Sequence, residues 1–219
     1  KVIHMTTPTD PVAQKVTIAS LTTKESPSWC PGCGDFTILS TLKNALAELN
    51  IPQEKVLIVS GIGCGSKTPH FVNVYGFEGL HGRSLPVAAA AKLVNHELTV
   101  IVVTGDGDGY GIGGNHFLHM MRRNINITHI VQNNEVYGLT KGQTSPTSEK
   151  GFKTNSTPSG VLEEPVNPLT WALVAGATYV ARGYAMDIMH LKKLIADGVR
   201  HKGFSIIDVF QPCPTYNKV

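Results

Sequence analysis

The chain has 219 residues, 42% of them hydrophobic, which fits one folded domain with a sizeable core and excludes a largely disordered protein. Its net charge of +3, without a run of lysines or arginines, gives no indication of nucleic-acid binding. No apolar stretch approaches a membrane span, and the N-terminal KVIHMTTPTDPVAQKV lacks the apolar core of a secretory signal. We therefore expect a cytoplasmic protein that binds neither membranes nor nucleic acid.

Apolar periodicity predicts helices that alternate with strands. Apolar residues spaced three or four apart predict a helix over 36–49, and KVLIVSGIG at 55–63 predicts a short buried strand. The later predicted elements are a helix at 85–97, a strand at 98–105, a helix at 115–124, a strand at 126–134, a helix at 168–177, a strand at 178–183, a helix at 188–199 and a strand at 204–210. This alternation predicts an α/β fold with a mostly parallel sheet flanked by helices.

A long polar segment interrupts the alternation at 138–166 and is punctuated by proline and glycine. A loop of this length in a compact domain is usually functional or covered by a partner. We expect it to serve as a lid or a partner contact, and the alternative is a mobile surface loop.

The stretch VVTGDGDGYGIGGNHF at 102–117 carries six glycines and two aspartates within 105–114, directly after a predicted strand. At such a strand end, glycines let the backbone approach a phosphate, and the following helix offers unpaired N–H groups. The aspartates would repel a phosphate unless a divalent cation lay between them, and Mg²⁺ prefers oxygen ligands. We therefore predict Mg²⁺ held by Asp106, with the Asn134 side chain and the Val136 carbonyl as further ligands.

Two other interpretations of this stretch fit less well. Gly109, Gly111 and Gly114 match the spacing of a dinucleotide-binding loop, but the embedded aspartates argue against a phosphate there without a metal. An EF-hand loop needs glutamate at its twelfth position, which is Phe117 when counted from Asp106. The pairing of Asp106–Gly107 with a later Asn134 resembles the diphosphate-binding motif of thiamine diphosphate enzymes.

The four cysteines are Cys30, Cys33, Cys64 and Cys213, and in a cytoplasmic chain they indicate metal or redox chemistry rather than a disulfide framework. Four thiolates suit either tetrahedral Zn²⁺ or a [4Fe–4S] cluster. One close pair with two isolated cysteines near strand ends favours the cluster, because structural zinc sites more often use two close pairs. A role for Cys64 and Cys213 as buried apolar residues is the remaining alternative.

Seven motifs occur in order between Cys30 and about Asn217: WCPGCG, SGIGC, LHGR, VVTGDGD, GGNH, NNEVYGLTKGQ followed by SPT, and QPCPTYN. In this order they resemble the β subunit of 2-oxoacid:ferredoxin oxidoreductases, particularly the two-subunit type that uses 2-oxoglutarate or a broad range of 2-oxoacids. The resemblance implies one thiamine-diphosphate-binding domain of the PP type over residues 1–219, with a cluster-binding segment at about 26–35.

The resemblance also implies the roles of individual residues. The ligands of one [4Fe–4S] cluster would be Cys30, Cys33, Cys64 and Cys213, and those of Mg²⁺ would be Asp106, Asn134 and the Val136 carbonyl. The residues lining thiamine diphosphate would be Ile62, Gly63, Cys64, Gly65, His81, Gly107, Asp108, Gly138 and Leu139. Lys67 would face the substrate carboxylate, for which the alternative is a solvated surface lysine. His81 would reach the diphosphate, for which the alternative is a structural histidine.

The implied reaction is the reversible oxidative decarboxylation of a 2-oxoacid with coenzyme A to acyl-CoA and CO₂, with electrons passing through the cluster to ferredoxin. The expected substrate is 2-oxoglutarate, and the alternative is specificity for pyruvate or for a broad range of 2-oxoacids. In this family the glutamate that activates the cofactor belongs to an α subunit, so we expect this chain to be inactive alone. Family members usually continue well beyond the position of Cys213, so we expect either a short variant or a missing tail, in which contacts to coenzyme A or a partner would lie. Two other hypotheses are a non-redox thiamine diphosphate enzyme with incidental cysteines, and a zinc- or cluster-bearing binding protein without catalysis.

Overall fold

The structure is a computed structural model that describes residues 15–217. The ends of the predicted domain, at 1–14 and 218–219, lie outside the described residues, as does most of the N-terminal sequence considered above for localisation. The α-helices are α1 (Gly34–Leu49), α2 (Thr68–Phe71), α3 (Ser84–Val94), α4 (Gly114–Arg123), α5 (Pro168–Val174) and α6 (Ile188–Arg200). The strands are β1 (Val56–Ser60), β2 (Tyr75–Glu78), β3 (Thr99–Gly105), β4 (Ile127–Asn133), β5 (Val136–Tyr137), β6 (Gln143–Thr144), β7 (Tyr179–Tyr184) and β8 (Phe204–Phe210).

Six of these strands form one sheet in the order β2–β1–β3–β4–β8–β7, and every neighbouring pair is parallel. The predicted α/β class with a mostly parallel sheet is therefore confirmed. Strand β2 at the sheet edge was not predicted, because its four residues YGFE are all exposed and have no buried alternation. The small antiparallel pair of β5 and β6 lies apart from the main sheet.

Both faces of the sheet are buried, as expected for parallel strands covered by crossover helices. Ile101 and Val103 of β3 pack in the core beneath α1 and α6, while Val100 and Val102 pack beneath α3 and α4 on the opposite face. Successive residues of a strand point to opposite faces, so the continuous run TVIVV supplies both layers at once. The sheet therefore lies between two layers of helices.

Several predicted boundaries differ from the structure. The strand predicted at 55–63 ends at Ser60, and its last residues form the loop that enters the functional site. The helix predicted at 168–177 ends at Val174, because Gly176 adopts a positive φ of 85° that breaks the helix. A turn of π-helix, Gly107–Ile112, precedes α4 and was not predicted; such turns are frequent at functional sites.

Among the described residues, no helix is both long enough and apolar enough to span a bilayer.

His129 on β4 gives a testable pH dependence of stability. It is fully buried, its Nε2 lies 2.8 Å from Thr104 Oγ1, and burial lowers its pKa from 6.5 to about 3. Between pH 6.5 and 3 the unfolded chain binds a proton that the folded chain does not, so this residue's contribution to stability is lost as the pH falls. We expect His129→Gln to flatten the loss of unfolding free energy below pH 6.5 by at most about 1.4 kcal/mol per pH unit, measured by urea unfolding.

The same substitution at the exposed His96 is the control and should leave the slope unchanged. Equal slopes for wild type and His129→Gln would contradict the assignment of His129 as a buried neutral histidine.

Candidate functional site

The carboxyl ends of four adjacent strands, β1, β3, β4 and β8, meet at one edge of the sheet. The loops that follow them enclose a narrow cleft of about 80 Å³. Its lining includes every residue expected to contact the cofactor or Mg²⁺: Ile62, Gly63, Cys64, Gly65, His81, Asp106, Gly107, Asp108, Asn134, Val136, Gly138 and Leu139. The structure thus brings together in one cleft residues that lie up to 77 positions apart in the sequence.

Asp108 connects three segments of the cleft wall. Its Oδ1 accepts hydrogen bonds from the backbone N–H groups of Ile62 at 3.1 Å and Gly82 at 2.7 Å, and it lies 2.6 Å from His81 Nδ1. Burial raises the pKa of the Asp108 carboxyl, and the two N–H groups and His81 oppose that rise. The carboxylate therefore serves to hold the loop after β1 and the His81 loop against the π-helical turn after β3.

His81 lines the cleft with its ring edge-on to Tyr137, at a centroid distance of 6.0 Å. Because Nδ1 faces the Asp108 carboxylate, Nε2 is the ring nitrogen left for another partner.

Asp106 is almost completely buried and contacts the long loop. Thr147 Oγ1 donates to Asp106 Oδ2 at 2.7 Å and also lies 3.0 Å from Asn133 Oδ1. Burial raises the pKa of Asp106 to about 6, and contacts with Ser145 and Thr147 oppose the rise. A buried carboxylate of this kind is stabilised by a nearby cation.

The long loop at 138–166 contributes Gly138, Leu139 and Thr140 to the lining of the cleft. Ser145, Thr147 and Ser148 are buried, and β5 pairs with β6 within and next to this loop. Its SPTS segment folds back onto Asp106, which distinguishes this part of the loop from a free surface loop.

Asn134 has a fixed side-chain amide. Its Oδ1 accepts from the backbone N–H of Val136 at 3.2 Å, and its Nδ2 donates to Gln211 Oε1 at 2.7 Å. The carbonyl oxygen of the amide is therefore oriented by bonds on both sides, as metal-ligating side chains usually are.

The glycines after β3 serve close packing more than backbone freedom. None of those in 105–114 has a positive φ. A Cβ on Gly107 would stand 2.2 Å from the Tyr137 ring, and one on Gly109 would stand 2.7 Å from Thr104 Oγ1. The space beside these two glycines is filled by protein atoms, whereas a Cβ at Gly114, where α4 begins, would meet nothing within 4 Å.

A second cavity adjoins the cleft and contains all four cysteines in its lining: Cys30, Cys33, Cys64 and Cys213. The sulfurs of Cys64 and Cys213 lie 3.7 and 3.9 Å from the position that a Cβ on Gly138 would occupy. Cys30 and Cys33 come from the segment before α1, and Trp29 Nε1 donates to the Cys64 carbonyl at 2.7 Å to hold that segment in place. The fold therefore gathers cysteines from three separate parts of the chain.

Two of the thiols in this cavity, those of Cys33 and Cys64, are in an environment that disfavours charge. Burial raises the pKa of Cys64 to about 11 and that of Cys33 well above its usual value. Burial also raises the pKa of the neighbouring Asp35 to about 7. Thiolates at these positions therefore require a positively charged group in the cavity, and coordination to metal ions deprotonates thiols in this way.

Lys67 lines the cysteine cavity and is absent from the residues that line the cleft. The two cavities nevertheless share a wall, formed by Cys64, Asn134, Gly138, Leu139 and Gln211. Within residues 15–217, no three His, Cys, Asp or Glu side chains are placed so that they could hold one metal ion. The four cysteines surround a space rather than meeting at a single point.

Several residues of the site were not predicted from the sequence. Gln132 is 2% exposed, lines the cleft, and has neither amide atom hydrogen-bonded; its Oε1 lies 1.1 Å from where a Cβ on Gly65 would stand. Thr147, Tyr137 and Gln211 were also missed, although all three lie within the quoted motifs. Their type alone does not indicate chemistry, because threonine, tyrosine and glutamine occur throughout ordinary loops.

Comparison with known proteins agrees with this geometry. Residues 61–209 match the family described as thiamine pyrophosphate enzyme, C-terminal TPP binding domain. The parallel sheet and the cleft at its carboxyl edge define this class, which binds thiamine pyrophosphate, also called thiamine diphosphate. Within the class, the chain is 40% identical over 191 residues to the 2-oxoglutarate synthase subunit KorB of Archaeoglobus fulgidus, covering 87% of this chain and 71% of the relative. The chain thus belongs to the family of 2-oxoacid:ferredoxin oxidoreductase β subunits.

The relatives carry that family's name. The chain is 50% identical over 202 residues to subunit beta of 2-oxoacid:ferredoxin oxidoreductase 1 from Aeropyrum pernix, covering 92% of this chain and 64% of the relative. It is 46% identical to the 2-oxoglutarate oxidoreductase subunit KorB of Mycobacterium tuberculosis, covering 90% of this chain and 52% of the relative. The chain therefore spans between about half and two thirds of the length of these relatives.

A solved structure shares the fold at a TM-score of 0.91 and 44% sequence identity, covering 92% of this chain and 69% of the other. That structure is 2-oxoglutarate:ferredoxin oxidoreductase from Magnetococcus marinus with 2-oxoglutarate, coenzyme A and succinyl-CoA bound.

Thr147 provides a test of the cleft. Thr147→Val keeps the shape of the side chain but removes the hydroxyl that donates to Asp106. Loss of a residue that orients a metal ligand typically weakens metal affinity about 10- to 100-fold. We expect at least about tenfold weaker Mg²⁺-dependent binding of thiamine diphosphate, measured by fluorescence titration of the cofactor-free protein.

Thr147→Ser is the matched control and should retain nearly wild-type affinity, because it keeps the hydroxyl. Wild-type affinity in Thr147→Val would show that the contact with Asp106 does not support cofactor binding.

Proposed function

We propose that this chain is the cofactor-binding part of the β subunit of a CoA-acylating 2-oxoacid:ferredoxin oxidoreductase, with 2-oxoglutarate as the substrate. The reaction is oxidative decarboxylation of the 2-oxoacid with coenzyme A to an acyl-CoA and CO₂, with two electrons passed singly to ferredoxin. The observation that carries the proposal is the shared wall between the diphosphate cleft and the four-cysteine cavity. One-electron transfer requires a donor and an acceptor in close proximity, and these five shared residues supply that proximity.

In the cleft, Asp106, the Asn134 side chain and the Val136 carbonyl would hold Mg²⁺, and the metal would hold the diphosphate. Their oxygen donors suit Mg²⁺, and only one of them is a carboxylate. The bound cofactor supplies an electron sink for breaking the bond to the substrate carboxylate. Ile62, Gly63 and the other lining residues exclude water from the cofactor.

His81 would act at the diphosphate through Nε2, because Asp108 holds the other side of its ring. The 2.6 Å contact turns Nδ1 of the imidazole toward the carboxylate. Its position in the cleft supports a role in cofactor binding.

The four cysteines would ligate one [4Fe–4S] cluster. Four thiols around one cavity fit a cluster, and the iron supplies the positive charge that the buried thiolates of Cys33 and Cys64 need. Lys67 lines this cavity, and its ammonium group would face the substrate carboxylate across the shared wall.

We further propose that an α subunit completes the enzyme, with ferredoxin as electron acceptor. The relatives are named as β subunits, which implies an α partner. The glutamate expected to activate the cofactor would come from that partner.

The first experiment is anaerobic purification of the full-length protein with its α partner, followed by analysis of iron, sulfide and zinc. We expect about four irons and four sulfides per chain and a reduced-cluster signal by electron paramagnetic resonance after dithionite treatment. One zinc per chain without iron would contradict the proposal and favour a non-redox enzyme or a zinc-binding protein.

Two substitutions separate the two cofactors. Cys213→Ala should abolish the cluster signal and leave Mg²⁺-dependent binding of thiamine diphosphate unchanged, because Cys213 lines only the cysteine cavity. Asp106→Ala should weaken that binding by more than about tenfold and keep the iron content. Ferredoxin reduction by Cys213→Ala at the wild-type rate would refute the redox role.

The substrate is tested by comparing kcat/KM for 2-oxoglutarate and pyruvate in the complex. We expect a preference for 2-oxoglutarate of at least about tenfold, which corresponds to about 1.4 kcal/mol of transition-state stabilisation. The name of the M. tuberculosis relative and the substrate bound in the M. marinus structure support this expectation. Comparable values for the two substrates would instead indicate a broad-range 2-oxoacid enzyme.

A further inference from the structure

One buried side chain, Gln211, connects the cleft with the cysteine cavity by direct hydrogen bonds. Its Oε1 accepts from Asn134 Nδ2 at 2.7 Å, and its Nε2 donates to Cys33 Sγ at 3.1 Å. The side chain is 4% exposed and lines both cavities. A residue expected to ligate Mg²⁺ and a residue expected to ligate the cluster are thus separated by a single amide.

The orientation of this amide is determined by its partners. Besides Cys33, Nε2 donates to the Pro212 carbonyl at 3.2 Å, so both of its hydrogens have an acceptor. A rotated amide would place Oε1 against the sulfur and the carbonyl oxygen, neither of which can donate when Cys33 is a thiolate. It would also turn its NH₂ group toward the NH₂ group of Asn134.

The backbone holds the same residue in place. The Gln211 N–H donates to the Asn133 carbonyl at 2.9 Å, at the end of β4. The Gly34 N–H donates to the Pro212 carbonyl at 3.2 Å, and a Cβ on Gly34 would stand 2.9 Å from Gln211 Cγ. The start of α1, which follows Cys33, is therefore packed directly on Gln211.

We propose that Gln211 is a positioning residue that acts on both sites: it orients the Asn134 amide in the cleft and donates an N–H···S hydrogen bond to the cluster ligand Cys33. This inference rests on the function proposed above.

The hydrogen bond to sulfur has a predictable effect on the cluster. Reduction adds negative charge to the cluster and its thiolate ligands, and an N–H donor stabilises that added charge. Gln211 therefore raises the reduction potential, which makes the cluster a better acceptor of electrons from the cleft. Loss of the donor should shift the midpoint potential to a more negative value.

The test uses the full-length protein in complex with its α partner and measures two quantities besides activity. The first is the midpoint potential of the cluster, from a redox titration followed by electron paramagnetic resonance. The second is the affinity of the cofactor-free complex for thiamine diphosphate in the presence of Mg²⁺.

Gln211→Met removes both hydrogen bonds at similar side-chain length. We expect a more negative midpoint potential and about tenfold weaker cofactor affinity, with unchanged iron content. Gln211→Glu keeps an oxygen that can accept from Asn134 but replaces the donor to Cys33. It should therefore lower the potential while cofactor affinity stays near the wild-type value.

Gln53→Met is the control for losing a glutamine amide elsewhere. Gln53 Nε2 donates to the backbone carbonyls of Ser20 and Asn73, before β1 and away from both cavities. Neither the potential nor the affinity should change.

A wild-type potential and affinity in Gln211→Met, with full iron content, would overturn the inference and leave the proposed function intact. If Gln211→Met does not retain iron, the midpoint potential of the cluster in Gln211→Glu is the test. A wild-type potential in that variant would overturn the inference. A wild-type complex without a cluster signal would overturn the proposed function and this inference with it.

Discussion

The geometry of the cleft depends on the buried carboxylate of Asp108. The parallel sheet brings four strand ends to one edge, but strand ends alone do not define the positions of the loops beyond them. Asp108 positions these loops by accepting hydrogen bonds from the backbone N–H groups of Ile62, in the loop after β1, and of Gly82. Its carboxylate also contacts His81 Nδ1. A Cβ on Gly61 would lie 1.9 Å from Asp108 Oδ2, so the loop after β1 approaches this carboxylate as closely as a chain can.

The fold was predictable because apolar runs such as that of β3 are long and buried on both faces. The edge strand β2 was not, because its exposed residues carry no pattern. Among candidate site residues, Asp106 and the cysteines were found because their side chains indicate chemistry by type and position. Gln132, Thr147 and Gln211 were not, since their importance arises only from neighbours that the fold brings to them.

The structure also changes the reason for the glycine-rich stretch. The sequence suggested backbone freedom near a phosphate, whereas Gly107 and Gly109 lie directly against the Tyr137 ring and the Thr104 hydroxyl. Small residues here allow the π-helical turn to pack between β3 and the loop after β4. The two aspartates of this segment therefore have different contacts: Asp106 accepts a hydrogen bond from Thr147, and Asp108 accepts one from the Ile62 N–H in the cleft wall.

The position of β8 between β4 and β7 has a consequence for how the protein is made. β8 is the last strand of the sheet in the chain, and it carries Gln211 and Cys213 immediately after it. Neither β4 nor β7 can pair with β8 until β8 is synthesised, and long-range parallel pairing is slow to form. A nascent chain that lacks β8 therefore contains three of the four thiols without the cavity that they share.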